Sequence, residues 1–216
     1  MISKSKIYAP AVPQRLSAKF FIDDSSSVDA ADLVPVFHDW IGRQAVEEML
    51  IDVADYSHVH QGPSLMLVAL EADYVFDEAE GRLGLRYIRK RSMPNSLPAA
   101  LALCIAQAAA ASHLISTSQL LPAVTAFDAA RVEIEILDKL NYPDVSTVGA
   151  ALEAALIAVG QEAFGQEGLD VTIAVEDERR PLKLVLRSTQ KASLPEIAGR
   201  LRQSIYLEDV QEQVVA

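Results

Sequence analysis

The chain predicts an α+β fold. The expected architecture is a set of internally duplicated strand–helix–hairpin–helix units, with antiparallel-rich sheets covered on one face by Ala-rich helices. Three observations predict it. Residues 131–138, Arg-Val-Glu-Ile-Glu-Ile-Leu-Asp, alternate polar and apolar side chains, the period of a half-buried strand. Two Ala-rich windows, 97–115 and 147–164, are long enough for buried helices. An ungapped repeat aligns Ala72-Asp-Tyr-Val-Phe with Leu169-Asp-Val-Thr-Ile, Leu85-Arg-Tyr-Ile with Leu182-Lys-Leu-Val, and Ser96-Leu-Pro98 with Ser193-Leu-Pro195.

In the first half, residues 19–23 read as a short strand and 24–29 as a Ser/Asp loop. Leu33, Val36, Phe37, Trp40 and Ile41 then fall on one helical face, and the helix is expected over 32–43, with Pro35 in its first turn. Residues 48–53 read as a strand and 55–63 as a polar loop closed by Gly62-Pro63. Residues 65–76 are expected as one strand, paired as a hairpin with 83–90 across Gly81. Ser96 reads as the N-cap of the first Ala-rich helix.

The second half follows the same order: strand 131–138, helix 147–164, hairpin 169–175 with 182–186, and a last helix carrying Ile197, Leu201 and Ile205. The expected division is an N-terminal arm at 1–18, a first α+β subdomain at 19–120 and a related second one at 121–216. Ala102, Ala106, Ala109 and Ala110 in one helix, and Ala150, Ala151, Ala154, Ala155 and Ala158 in the other, are expected to pack closely. Two such units must bury their remaining faces against each other or against another copy, which points to a homodimer.

Half of the 216 residues are apolar, so the chain can bury a core, and the net charge is −11. That charge opposes phosphate backbones and anionic membranes, so neither nucleic acid nor membrane is an expected partner. The apolar stretch 97–115 contains Gln107, Ser112 and His113 and is mostly alanine, which favours a core helix over a membrane span. The single Cys104 rules out an internal disulfide and a Cys-cluster metal site. The N-terminus lacks a secretory pattern, and a cytoplasmic location is the expectation.

The P-loop, dinucleotide-binding, nucleophile-elbow and HExxH patterns are all missing, which favours a non-catalytic protein. Chemistry, if present, points to Asp52-Val-Ala-Asp-Tyr-Ser-His-Val-His-Gln-Gly-Pro63. On an extended segment His58 and His60 project to the same side, and Asp55 or Glu71 would complete a two-His, one-carboxylate set for a divalent metal. Asp55, His58 and His60 are equally the candidates for acid–base catalysis. The same segment also reads as a solvated loop.

Glu71, Asp73 and Asp77 share one face if 65–77 is a continuous strand. The basic run of Arg86, Arg89, Lys90 and Arg91 is placed to pair with them across the hairpin. Tyr56, Glu71, Asp73, Arg86 and Arg89 form the candidate set for a small polar ligand. The duplicated strand–helix–hairpin order is similar to that of small-molecule sensor domains of the gyrase-inhibitor-like type. That resemblance implies a ligand cleft between two related halves. The expected function is therefore binding or assembly by a homo-oligomer, with a metal-assisted enzyme or a ligand sensor as the alternatives.

Overall fold

The computed structural model describes residues 11–26, 28–56, 58–59, 64–78, 82–142, 145–174 and 180–215. The elements in chain order are β1 (Leu16–Ile22), α1 (Ala30–Arg43), β2 (Leu50–Asp55), β3 (Leu65–Ala69), β4 (Ala72–Asp77), β5 (Gly84–Arg89), α2 (Leu97–Ser116), β6 (Phe127–Ile136), α3 (Val145–Phe164), β7 (Leu169–Ala174), β8 (Leu182–Ser188) and α4 (Leu194–Val215). The fold is mixed α+β, as the sequence predicts. The strands form one antiparallel sheet in the order β2-β3-β4-β5-β1-β6-β8-β7. The β1–β6 pair therefore joins the two halves in a continuous sheet, with β5 and β4 on one side and β8 and β7 on the other.

Side chains alternate across this sheet. Leu16, Ala18, Phe20, Tyr74, Phe76, Leu85, Tyr87, Val132, Ile134, Leu184 and Leu186 join the core beneath the helices. Helix α1 packs on β2 and β3, α2 on β1, β5 and β6, and α3 on β7 and β8; α4 lies across α2 and α3. Helix α2 is apolar and long enough to cross a membrane, yet most of it is buried within this core.

Local chemistry sets the helix ends. The Asp29 carboxylate accepts from the Ala31 and Asp32 amides, and the Asp32 carboxylate accepts from the Asp29 amide, forming a capping box. The box starts α1 two residues earlier than expected and leaves Pro35 in its second turn, where it has no amide to donate. Ser96 Oγ accepts from the Ala99 amide at 3.1 Å and starts α2 as expected. Gly84 has a packing requirement: a Cβ there would lie 2.4 Å from the Phe20 carbonyl and 2.8 Å from Lys19 Cε. Glycine lets β5 pair closely with β1 while the lysine chain passes over it.

Two expectations fail. Residues 65–76 are not one strand but the β3–β4 hairpin, turned by Leu70 and Glu71. The turn reverses the chain, so Leu65, Leu67 and Ala69 face the helices while Asp73 and Asp77 face the opposite side. Glu71, Asp73 and Asp77 consequently do not form one acidic face. In α3 the buried stripe is Val148, Leu152, Leu156, Val159 and Ala163, whereas Ala150, Ala154 and Ala158 are exposed. The larger side chains remove more apolar surface from water, so they take the inner face.

Candidate functional site

The predicted site residues lie in three places. Asp55 ends β2, and Tyr56 and His58 follow it on an exposed stretch; His60 lies outside the described residues. Among the described residues no three His, Cys, Asp or Glu side chains converge as a metal-ligand set. The basic run pairs across the hairpin as its register predicts: Arg86 Nε lies 3.2 Å from Asp77, Arg89 Nη2 2.5 Å from Glu71, and Lys90 Nζ 2.6 Å from Asp73. Arg86 and Asp73 nevertheless belong to the helix-free face, and Arg89 to the helix side.

On the helix-free face, charges lie flat between neighbouring strands and bury one another. Lys19, fully buried, donates to Asp77 Oδ1 at 2.5 Å and to the Arg82 carbonyl at 2.9 Å. Arg86 reaches Asp77, Glu133 at 3.0 Å and Glu135 at 2.8 Å, and donates to Ser17 Oγ. Lys183 closes the chain against Glu133 and Glu135. Burial works against the Arg86 guanidinium, but Glu135, Asp77 and Glu133 more than offset it and raise its pKa. Burial pushes the Glu133 carboxyl up despite Arg86 and Lys183, and pushes the Lys19 ammonium down despite Asp77. Beside them, Arg82 and Arg131 each sit 4.5 Å from the Phe21 ring centre.

A second cluster, on the helix side, was not anticipated from sequence. Glu48, in the connection from α1 to β2, accepts from Tyr74 Oη at 2.5 Å and Tyr87 Oη at 2.7 Å. Arg89 donates to Tyr87 Oη at 3.3 Å and stands 3.9 Å from Glu48. Its other nitrogen binds Glu71 and the Ser92 carbonyl, and Ser92 Oγ donates to Glu71. The two rings are register partners on β4 and β5, 5.2 Å apart, and Trp40 packs edge-on against Tyr74. Burial raises both phenol pKa values, helped by the Glu48 charge. Both hydroxyls are therefore donors at neutral pH. Nearby, burial pushes the Cys104 thiol up to about 12, so it is not a nucleophile there. The only sequence signal for this cluster is Tyr74 facing Tyr87 across a hairpin; nothing local marks Glu48 as their acceptor.

Glu47, the preceding residue, turns the opposite way and helps to line a surface groove of about 480 Å³. One wall is the segment 44–47 after α1, another is Gln107, Ala110, Ala111, His113 and Leu114 on α2, and the third is Pro195, Ala198, Gly199 and Arg202 on α4. The groove thus takes residues from both halves of the chain. Alanine and glycine keep its walls low, and a Cβ at Gly199 would meet nothing within 4 Å. One polar chain crosses it. Gln107 Nε2 donates to Glu47 at 3.0 Å, Arg202 Nη2 donates to Gln107 Oε1 at 3.0 Å, and Arg202 lies 3.4 Å from Glu47. Gln44 donates to the Glu48 carbonyl, so the first wall is tied to the tyrosine cluster beneath it.

This arrangement suits reversible binding of a molecule with an apolar body and one polar end. None of the residues expected from the sequence to bind a small polar ligand lines this groove. Glu71 and Arg89 are bound to each other, and Arg86 is on the far side of the sheet. Comparison with protein-family models, curated proteins and solved structures finds no match to this chain.

Proposed function

We propose that this protein is a non-catalytic binding protein, acting in the cytoplasm as a homo-oligomer, and that its ligand is a small amphipathic molecule held in the groove between α2, α4 and residues 44–47. The observation that carries this reading is the groove itself. Its volume of about 480 Å³ lies within the range of small-molecule sites, and small apolar walls surround a few convergent polar groups. Gln107 and Arg202 supply hydrogen-bonding groups along the groove. Among the described residues, the buried acids and bases on the sheet are paired with one another, which also favours binding over proton transfer.

We also infer that the chain arose by internal duplication. The strand order runs outward from the central pair as β1-β5-β4 on one side and β6-β8-β7 on the other. The repeated sequences map onto corresponding elements: Ala72 and Leu169 open β4 and β7, and Ser96 and Ser193 precede α2 and α4. Duplicated halves that meet at a shared groove would account for its mixed lining.

Titration with 8-anilinonaphthalene-1-sulfonate tests the binding reading, because this probe joins an apolar ring system to a polar head. The expected result is saturable fluorescence enhancement in the native protein, lost in Gly199→Trp, whose indole occupies the groove. Gly199 is exposed on α4, so the variant is expected to keep its fold. Enhancement that is absent, or equal in the two proteins, would overturn the reading.

A further inference from the structure

The two edges of the sheet are finished differently. On β7 the exposed side chains are Asp170 and Thr172, while Leu169, Val171 and Ile173 are half-buried. On β2 the exposed residues include Ile51, and Met49, Tyr56, Val59 and Leu70 lie around it. Among the described residues, these are five of the nine large hydrophobic side chains that are exposed, so the apolar surface is concentrated at one edge. The Leu70 amide donates to the Met49 carbonyl, which fixes those two together at the start of β2. Tyr56 and Val59 lie at its other end, tied by the Val59 amide to the Tyr56 carbonyl.

Backbone direction along β2 follows from one bond. The Tyr56 amide donates to the Ser64 carbonyl, toward β3. By strand alternation Ala54 also faces β3, and the backbone groups of Val53 and Asp55 face outward. The outward Val53 amide is at present accepted by Asp52 Oδ1 at 2.8 Å. A bulge between Leu50 and Asp52 limits the regular edge to the residues after it.

We propose that a second copy of this chain occupies this edge, its β2 pairing antiparallel with β2 about a two-fold axis at Val53. This inference rests on the homo-oligomer reading and names its surface. Three features select a second copy. Antiparallel pairing carries the start of one β2 to the finish of the other, so Met49, Ile51 and Leu70 of one copy meet Tyr56 and Val59 of its partner. The axis at Val53 sets Asp52 opposite Ala54, while Ile51 lies in the bulge, outside the regular register. No carboxylate then faces a carboxylate, although each chain carries a net −11; axes at Asp52 or Asp55 would stack like charges. The outward groups of Val53 match across the axis, with Asp52 Oδ1 giving up the amide to the partner's carbonyl. Such an isologous contact closes as a dimer and leaves β7 free.

Sedimentation velocity on the full chain at about 50 µM, above the Kd of a micromolar dimer, tests this. The native protein is expected to be dimeric. Ile51→Lys is expected to weaken the dimer about 30-fold or more, the effect of losing a central contact. Asp52→Ala, which releases the Val53 amide and removes a charge, is expected to tighten it. Both positions are exposed, and melting curves check that the variants remain folded. A native protein that sediments as a monomer overturns the homo-oligomer reading and this surface with it. A dimer unmoved by either substitution overturns only the surface.

Discussion

Asp77→Asn is expected to destabilise the protein by about 3–5 kcal/mol in urea denaturation at neutral pH, the usual result of breaking a buried ion pair from one side. Asp77 bridges two cations: Lys19, fully buried, and Arg86, whose side chain is 6% exposed. Arg86 keeps Glu133 and Glu135 after the substitution. Lys19 keeps carbonyl acceptors but loses the carboxylate that most offsets its burial. The pH dependence separates this mechanism from a general packing defect. Burial already lowers the Lys19 pKa below 10.5, and without Asp77 it falls further. Between the folded value and 10.5 the unfolded chain binds more protons, so stability rises with pH in that window. The deficit of Asp77→Asn is therefore expected to be greatest near neutral pH and to shrink as pH approaches about 10. A deficit constant with pH would place the cause elsewhere.

Glu48→Ala is expected to cost a similar amount, about 3–5 kcal/mol, for a related reason. It leaves the fully buried Tyr74 and Tyr87 hydroxyls without their acceptor and takes a carboxylate from beside Arg89. The informative companion is the triple variant Glu48→Leu, Tyr74→Phe, Tyr87→Phe. Replacing the acceptor and both hydroxyls by apolar groups of similar shape removes the unpaired hydroxyls, while Arg89 keeps Glu71 and the Ser92 carbonyl, so part of the lost stability is expected to return. The cluster anchors segment 44–48, the wall of the groove. The triple variant should then bind the anilinonaphthalene probe as the native protein does. Recovered stability with lost binding would mean that the polar groups themselves serve the ligand.

What was legible in the sequence is local. Ser96 and the alternation in β6 are signals contained within a few residues, and the structure bears both out. The pairing of Arg86, Arg89 and Lys90 with Asp77, Glu71 and Asp73 was legible because the hairpin register alone brings them together. The β3–β4 turn was not. Leu70-Glu71 carries none of the Gly, Asn or Pro that mark tight turns, and neither residue has positive φ; among the described non-glycine residues only Gln44 and Ser92 do. With that turn unseen, Glu71 is placed on one face with Asp73 and Asp77; those two do share the helix-free face, whereas Glu71 sits in the turn and binds Arg89. The Glu48 cluster joins residues 48, 74, 87 and 89, and the groove joins 44–47, 107–114 and 195–202. Neither has a local pattern, because both are made by which helix lies over which strands.

Hydrogen exchange measured with and without 8-anilinonaphthalene-1-sulfonate tests the central claim, that the groove between the two halves is the binding site. Slowed exchange is expected in the segments around 44–47, 107–114 and 195–202 together, with the outer strands unchanged. Protection confined to residues 55–59, or spread over the helix-free face of the sheet, would contradict it.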